Sequence, residues 1–308
     1  MTLFQVRQTI LLLITALIWG CTFVAQSLGM DHVGPFTFTA SRMCLGTLFL
    51  LPFIWWKRRD LAKNKKTEYA RRTSSAYRRT LVTGSVLCGL CLFGGEALQQ
   101  FGLVNDTEVG KSGFITALYI VLVPMMGVFL GKKTTPLVWA AVAVAIAGLW
   151  YLCVPPEGFG ISLGDTYTFL CALVFSIHIF VISAFVTKVD GVELAAGQFA
   201  SGSLWALAAM FLFESPTAAG WLAAFPAILW AGVMSNGIAY TLQIVGQRGM
   251  NETVASLILS LESVVAVLAG WLLLDEILSA RELTGAALMA AAVVLAQLPT
   301  PSGKKKDA

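Results

Sequence analysis

Charged side chains are scarce in this chain. Asp, Glu, Lys and Arg make up 12% of its 308 residues, where a soluble domain carries about 25%. Hydrophobic residues make up 57% and the mean hydropathy is +0.78. That composition excludes an ordinary soluble fold and indicates a polytopic membrane protein. Histidine is limited to two residues, too few for a histidine-rich metal centre. The six cysteines, Cys21, Cys44, Cys88, Cys91, Cys153 and Cys171, all lie in or at the end of apolar segments. A disulfide framework of exposed loops is thereby excluded. Cys88 and Cys91 form "CGLC", which has metal-ligand spacing, but no second pair and no histidine is near. It reads as small packed side chains. No metal or cofactor is expected.

Catalytic patterns are missing too. "SLGD" at Ser162 to Asp165 resembles the G-x-G-D of intramembrane aspartyl proteases, but the first glycine is absent and a second membrane Asp is missing. There is no Ser–His pairing with an elbow motif, no glycine-rich phosphate loop and no ATPase domain. The chain is not expected to be an enzyme, and any work it does must draw on a gradient, an exchange or downhill flow.

Long apolar runs are what remains. A helix needs about 20 apolar residues to cross a bilayer. Ten such spans can be placed, at 9–29, 35–56, 81–104, 109–131, 135–154, 164–187, 192–213, 222–247, 253–274 and 280–298. The first has Arg7 ahead of it, as a signal peptide would. No small-x-small cleavage site follows, and the run continues to Leu28, long enough to span. Asp275 and Glu276 mark the outer end of span 9.

Basic residues set the orientation. The loop 57–80 holds ten of them, and with Arg7, Lys132, Lys133, Lys188, Arg248 and Lys304 to Lys306 one side collects 18 of 21. Both termini and the tail 301–308 are therefore expected in the cytoplasm. A basic loop can also serve nucleic acid or anionic lipid. It lacks the aromatic interleaving of a nucleic-acid reader, so it reads as a topology signal and no nucleic-acid partner is expected.

The chain repeats itself. "ALIWGCTFVAQ" from Ala16 falls on "ALVFSIHIFVI" from Ala172. At the same offset Arg42 falls on Gln198. "LQQFG" at Leu98 matches "LQIVG" at Leu242, which sets Glu96 and Gln99 against Tyr240 and Gln243. "FITALY" at Phe114 falls near "LILSLE" at Leu257, placing Tyr119 opposite Glu262. Five spans per half is an odd number, so the second half must enter the membrane inverted. The halves are 1–154 and 155–300. The expected fold is an all-α membrane protein of ten helices in two inverted five-helix repeats.

These motifs resemble the EamA family of the drug/metabolite transporter superfamily. "ALIWGCTFVA" is similar to its W-G opening, and "GDTYTFLCALVFSIHI" to the start of its second repeat. "LESVVAVLAGWLLLDE" is similar to its L-E-P-V-x-A-x-L-x-G-x-L-x-L-x-E stretch, and "LTGAALMAAAVVL" to its closing helix. Ser263 stands where the family has Pro, and Asp275 where it has Gly. The resemblance implies an inner-membrane carrier for amino acids, other metabolites or drugs, often outward. A lipid or lipid-linked sugar flippase is the first alternative and an intramembrane enzyme the second. Its partners would be a small solute and membrane lipid, as a monomer or homodimer.

Polar groups inside spans are candidate site residues, because a charge at the bilayer centre costs about 2.5–3.5 kcal/mol on insertion scales. Arg42 and Glu96 lie at matching depths of ~10 and ~12 Å at 1.5 Å per residue, so they are expected to pair or to face one another. The pair would be either a structural bridge or a substrate clamp. Glu96, Gln99 and Gln100 share a helix face expected to line an aqueous path. Glu262 lies mid-span on a face with Ala255, Ala266, Ala269 and Gly270, opposite Leu257, Leu261, Val264, Leu268 and Leu272. It either takes up a proton or braces helices. His178 is a binder, a proton relay or a packed interface residue. Trp19 and Tyr119 are aromatic walls or packing. Gln198 is the counterpart of Arg42 near the cytoplasmic mouth. The candidate substrate-binding set is Trp19, Arg42, Glu96, Gln99, Tyr119, His178, Gln198, Tyr240 and Glu262.

Overall fold

The computed structural model describes residues 2–105, 107, 109–132, 134–154, 161–273 and 279–298. Asp275, Glu276 and the basic tail lie outside the described residues. Those described form helices: α1 (Leu3–Met30), α2 (Pro35–Asn64), α3 (Lys66–Thr73), α4 (Ser75–Val104), α5 (Val109–Ala117), α6 (Tyr119–Phe129) and α7 (Pro136–Cys153). The second half supplies α8 (Leu163–Phe185), α9 (Gly191–Phe213), α10 (Ala218–Leu229), a π-helix (Trp230–Tyr240), α11 (Thr241–Gln247), α12 (Glu252–Leu259), α13 (Glu262–Leu273) and α14 (Ala280–Gln297). Among the described residues nine segments are long and apolar enough to cross a membrane, and a tenth apolar helix, Pro136–Leu152, is shorter.

Three spans are broken. Span 4 is α5 and α6, separated at Leu118. Span 8 is α10, the π-helix and α11. Span 9 is α12 and α13, separated at Ser260 and Leu261. The basic loop is also more ordered than its charge suggests. α2 runs on to Asn64, α3 follows, and α4 starts at Ser75. Lys, Arg and Glu are good helix formers. Glu68 bridges Arg71 and Arg72 at 2.7 Å one turn away. Hydrogen bonds from Arg71 and then Arg72 hold its carboxyl down at about 2.

Inside and outside are reversed relative to a soluble protein. Leu48, Phe53, Leu204, Phe211, Leu222 and Phe129 are exposed, while Gln26, Arg42, Glu96, Gln100, Gln198 and Asn236 are buried. That is the distribution lipid demands. Besides a small cluster of Val33, Phe38, Ala224, Ile228 and Ala231, two larger apolar cores are present. One joins spans 4, 5, 9 and 10. The other joins spans 2, 3, 6, 7 and 8. Trp19 on α1 packs against both.

Helix packing is unchanged when the halves are exchanged. α4 packs on α8 as span 8 packs on α1. α4 packs on α9 as span 8 packs on α2. α1 packs on span 9 as α8 packs on span 4. α2 with α9, and α7 with α14, map onto themselves. The α7–α14 contact is backbone-close. A Cβ on Gly148 would lie 2.9 Å from the Gly285 carbonyl oxygen. Small residues permit this approach, which drives helix association in lipid.

The loops pair by end, as an alternating traverse requires. At the basic end Lys57 meets Asp190 at 2.7 Å, Arg72 meets Asp190 at 3.0 Å, and Arg58 meets Glu193 at 3.1 Å. Lys132 meets Glu252 at 2.9 Å at that same end. At the other end Lys111 meets Asp165 at 2.5 Å. There too Glu214 accepts the backbone N–H groups of Phe36 and Thr37, both at 2.8 Å. The "SLGD" motif proves to be a capping box. Ser162 and Asp165 exchange side-chain-to-backbone hydrogen bonds at the start of α8.

Candidate functional site

A cavity lies between the two halves, where the broken helices meet. Helices 1, 2, 3, 4, 6, 8 and 9 of the ten spans all reach it. Seven of the nine candidate residues line it: Trp19, Arg42, Gln99, Tyr119, His178, Tyr240 and Glu262. Its free volume is about 30 Å³ for the centres of water molecules. That is room for ordered water among the lining side chains.

Tyr119 and Glu262 face each other across the halves. The Tyr119 hydroxyl donates to Glu262 Oε1 at 2.9 Å. Each is the first residue after a break. Leu118 bonds back to Ile115, and Leu261 to Ile258, in tightened three-residue turns. The break also changes the helix phase. Ala266 and Ala269 share the buried side with Glu262 as the wheel places them, and Leu268 and Leu272 face outward. Leu257, placed outward by the wheel, is buried. A single continuous wheel does not hold through Ser260 and Leu261.

Arg42 is bound from four sides. Its Nε donates to Asn236 Oδ1 at 3.0 Å, Nη1 to Gln26 Oε1 at 2.7 Å and Nη2 to Ser235 Oγ at 2.8 Å. Nη2 also lies 3.3 Å from Glu96 Oε1, and both side chains are buried. Helices 1, 2, 3 and 8 are thus tied by one guanidinium. Gln100 donates to the same Gln26 oxygen at 2.7 Å. The Glu96–Gln99–Gln100 face therefore does not line a path as a unit. Only Gln99 reaches the cavity, while Glu96 and Gln100 stand behind it against Arg42 and Gln26. Long polar side chains can turn toward one another in a dry interface, which the face argument alone does not anticipate.

Gln198 also sits behind the wall. Its Oε1 and His178 Nε2 are 3.0 Å apart, both side chains buried, so it orients the imidazole. Tyr240 stacks beside Trp19 with ring centroids 4.6 Å apart, and His178 meets it edge-on at 6.2 Å.

The π-helix carries Ser235, Asn236 and Tyr240. Its i→i+5 hydrogen bonds bring Ser235 and Tyr240 to one side, and both line the cavity. A regular α-helix would set residues five apart about 140° out of phase. The π-helix also fits closely against α2. Cβ atoms on Gly232 and Gly237 would each lie 2.6 Å from the side chains of Leu45 and Phe49. Gln26, Ser235 and Asn236 are absent from the sequence-derived set. The argument that picked out Arg42, a polar group inside an apolar span, would have found Gln26 and Asn236 as well.

Apolar outside, polar within, and halved around a central cavity, the molecule is a multi-pass membrane protein. The chain belongs to the EamA-like transporter family, whose model matches residues 7–154 and again 162–298. It is similar to an uncharacterized transporter of Archaeoglobus fulgidus, 28% identical over 93% of this chain and 84% of that one. It is also similar to the uncharacterized transporter YoaV of Bacillus subtilis, 24% identical over 91% of this chain and 92% of that one. A solved crystal structure shares the fold, with a TM-score of 0.73 at 19% identity over 94% of this chain and 96% of that chain. The protein is accordingly a membrane transporter, not grouped with enzymes.

Proposed function

We propose that the protein is a secondary carrier of the inner membrane that exports or exchanges small organic solutes: amino acids, other metabolites or drugs. It works by alternating access at the central cavity, with 1–154 and 155–300 as its inverted repeats and both termini and the tail 301–308 cytoplasmic. The observation that carries this reading is the Tyr119–Glu262 contact across the halves, at the breaks of spans 4 and 9 and on the cavity wall. Broken helices at the midplane between repeats are where carriers hold substrate.

The basic end supports the cytoplasmic assignment, since 18 of 21 basic residues belong there. There the ion pairs of Lys57, Arg58 and Arg72 with Asp190 and Glu193 join the first half to the second. They are the contacts that must part for the cavity to open to that side. The Tyr119–Glu262 pair also meets the distance expected of an enzyme dyad. A phenol donating to a carboxylate could serve as a nucleophile with its base, but the family match and the uncharacterized transporters among its relatives favour solute binding.

The test is counterflow in proteoliposomes against a panel of amino acids, nucleosides and cationic drugs. Accumulation of at least one solute, abolished by Glu262→Ala, is expected. Protein-free rates throughout the panel would reject the carrier reading. Normal transport by Glu262→Gln across a range of pH would remove proton coupling from it.

A further inference from the structure

We infer that the solute is an organic cation, a ring or short apolar body bearing an ammonium group, and not a zwitterion or an anion. This deepens the proposed function and rests on it. Three observations lead there.

First, the carboxyl group on the cavity wall has no cationic partner. Arg42 is matched by Glu96 at 3.3 Å and holds three further acceptors. Glu262 has no Lys or Arg partner among the described residues; its neighbour is the neutral Tyr119. A buried carboxylate is costly unless paired, and here the space for a cationic partner is the cavity itself.

Second, the walls are aromatic. Trp19, Phe23, Tyr119, Phe175 and Tyr240 all line the cavity. Ring faces attract ammonium groups by about 0.5–2 kcal/mol each, most strongly when desolvated.

Third, the wall leaves one acceptor and one neutral donor free. Gln243 lines the cavity, is 2% exposed, and its Oε1 has no hydrogen-bond partner. An ammonium N–H satisfies it. The Trp19 Nε1 is the unpartnered donor on the same wall. One neutral N–H suits a hydroxyl or ether oxygen and does not balance a carboxylate. A zwitterion or anion would find its natural anchor, Arg42, already occupied.

The test compares three ligands with one ring and different charge: phenethylammonium, phenylalanine and hydrocinnamate. Binding to purified full-length protein is read by equilibrium dialysis in detergent. Counterflow is read in proteoliposomes, with phenethylammonium as the cation and its leak into protein-free liposomes subtracted. The expected result is cation binding at least about tenfold tighter than phenylalanine, or about 1.4 kcal/mol. Glu262→Gln should lose that preference and Glu262→Asp should keep part of it, with both variants still folded by size-exclusion profile. Equal or tighter binding of phenylalanine or hydrocinnamate, or a cation preference that survives Glu262→Gln, overturns the inference. So does failure of the cation to bind. Counterflow of phenylalanine in preference to the cation would keep the carrier and remove the cation. Cation binding with no counterflow of any solute would keep the site and remove the carrier.

Discussion

Glu96→Gln changes one charge and almost no volume, and it isolates what the Arg42 cluster contributes. At 3.3 Å and an effective dielectric of about 20, the Arg42–Glu96 attraction is about 5 kcal/mol. Desolvation offsets much of that in the intact pair. Removing one partner leaves the guanidinium buried at 2% exposure with its charge unmatched, which costs about 3–5 kcal/mol in buried pairs. The three neutral hydrogen bonds to Gln26, Ser235 and Asn236 remain and keep the protein folded. The assay is reversible unfolding by SDS in mixed micelles, run as a cycle with Arg42→Gln and the double variant. Each single change should cost several kcal/mol. The double should cost less than their sum by more than about 1.5 kcal/mol, the mark of directly coupled groups. Singles below about 1 kcal/mol that simply add would show that the pair does not brace the four helices.

Three other changes probe the frame. At Asp190, burial pushes the carboxyl up, but Lys57 at 2.7 Å and Arg72 at 3.0 Å outweigh it and hold it below its ordinary value. A depressed carboxylate contributes stability above its unfolded pKa of about 3.9, and that contribution is lost as pH falls further. The melting temperature should therefore drop between pH 5 and pH 3, and less so in Asp190→Asn. Gly285→Leu should separate α7 from α14, since a Cβ there would lie 2.7 Å from the Gly148 carbonyl oxygen. A loss of at least about 1–3 kcal/mol is expected, read as a lower midpoint in SDS unfolding. Glu214→Ala should cost about 1–2 kcal/mol by removing the cap on the start of α2, with Glu214→Gln between the two in thermal unfolding.

Much of the frame could be read from the residues alone. Runs of apolar residues place the spans, because a bilayer imposes length on any helix that crosses it. The loops then pair by end as the positions of Lys and Arg indicate. The internal repeat set Tyr119 against Glu262, and the two are in contact. Depth counted along helices put Arg42 level with Glu96, and they lie 3.3 Å apart. Local geometry was less legible. Nothing in "YIVLVPMMGVF" or "ESVVAVLAGWLL" announces that each begins a new helix, since the turns at Leu118 and Ser260 use ordinary residues. The helical ends of α2 and α4, and α3 between them, were hidden because charge was read as loop. Which polar face is wet and which is dry depends on partners from other helices, as Gln100 with Gln26 shows.

The π-helix makes the cavity a matter of counting as well as of chemistry. Residues Trp230–Tyr240 carry wide turns that an α-helix would make with fewer residues. Deleting one residue there would let a wide turn close toward α geometry, in which residues five apart lie about 140° out of phase. Ser235 and Tyr240 would part. Every side chain of the site would survive in the chain, and the site would not. A relative one residue shorter in this segment thus carries a different chamber, however similar its sequence reads.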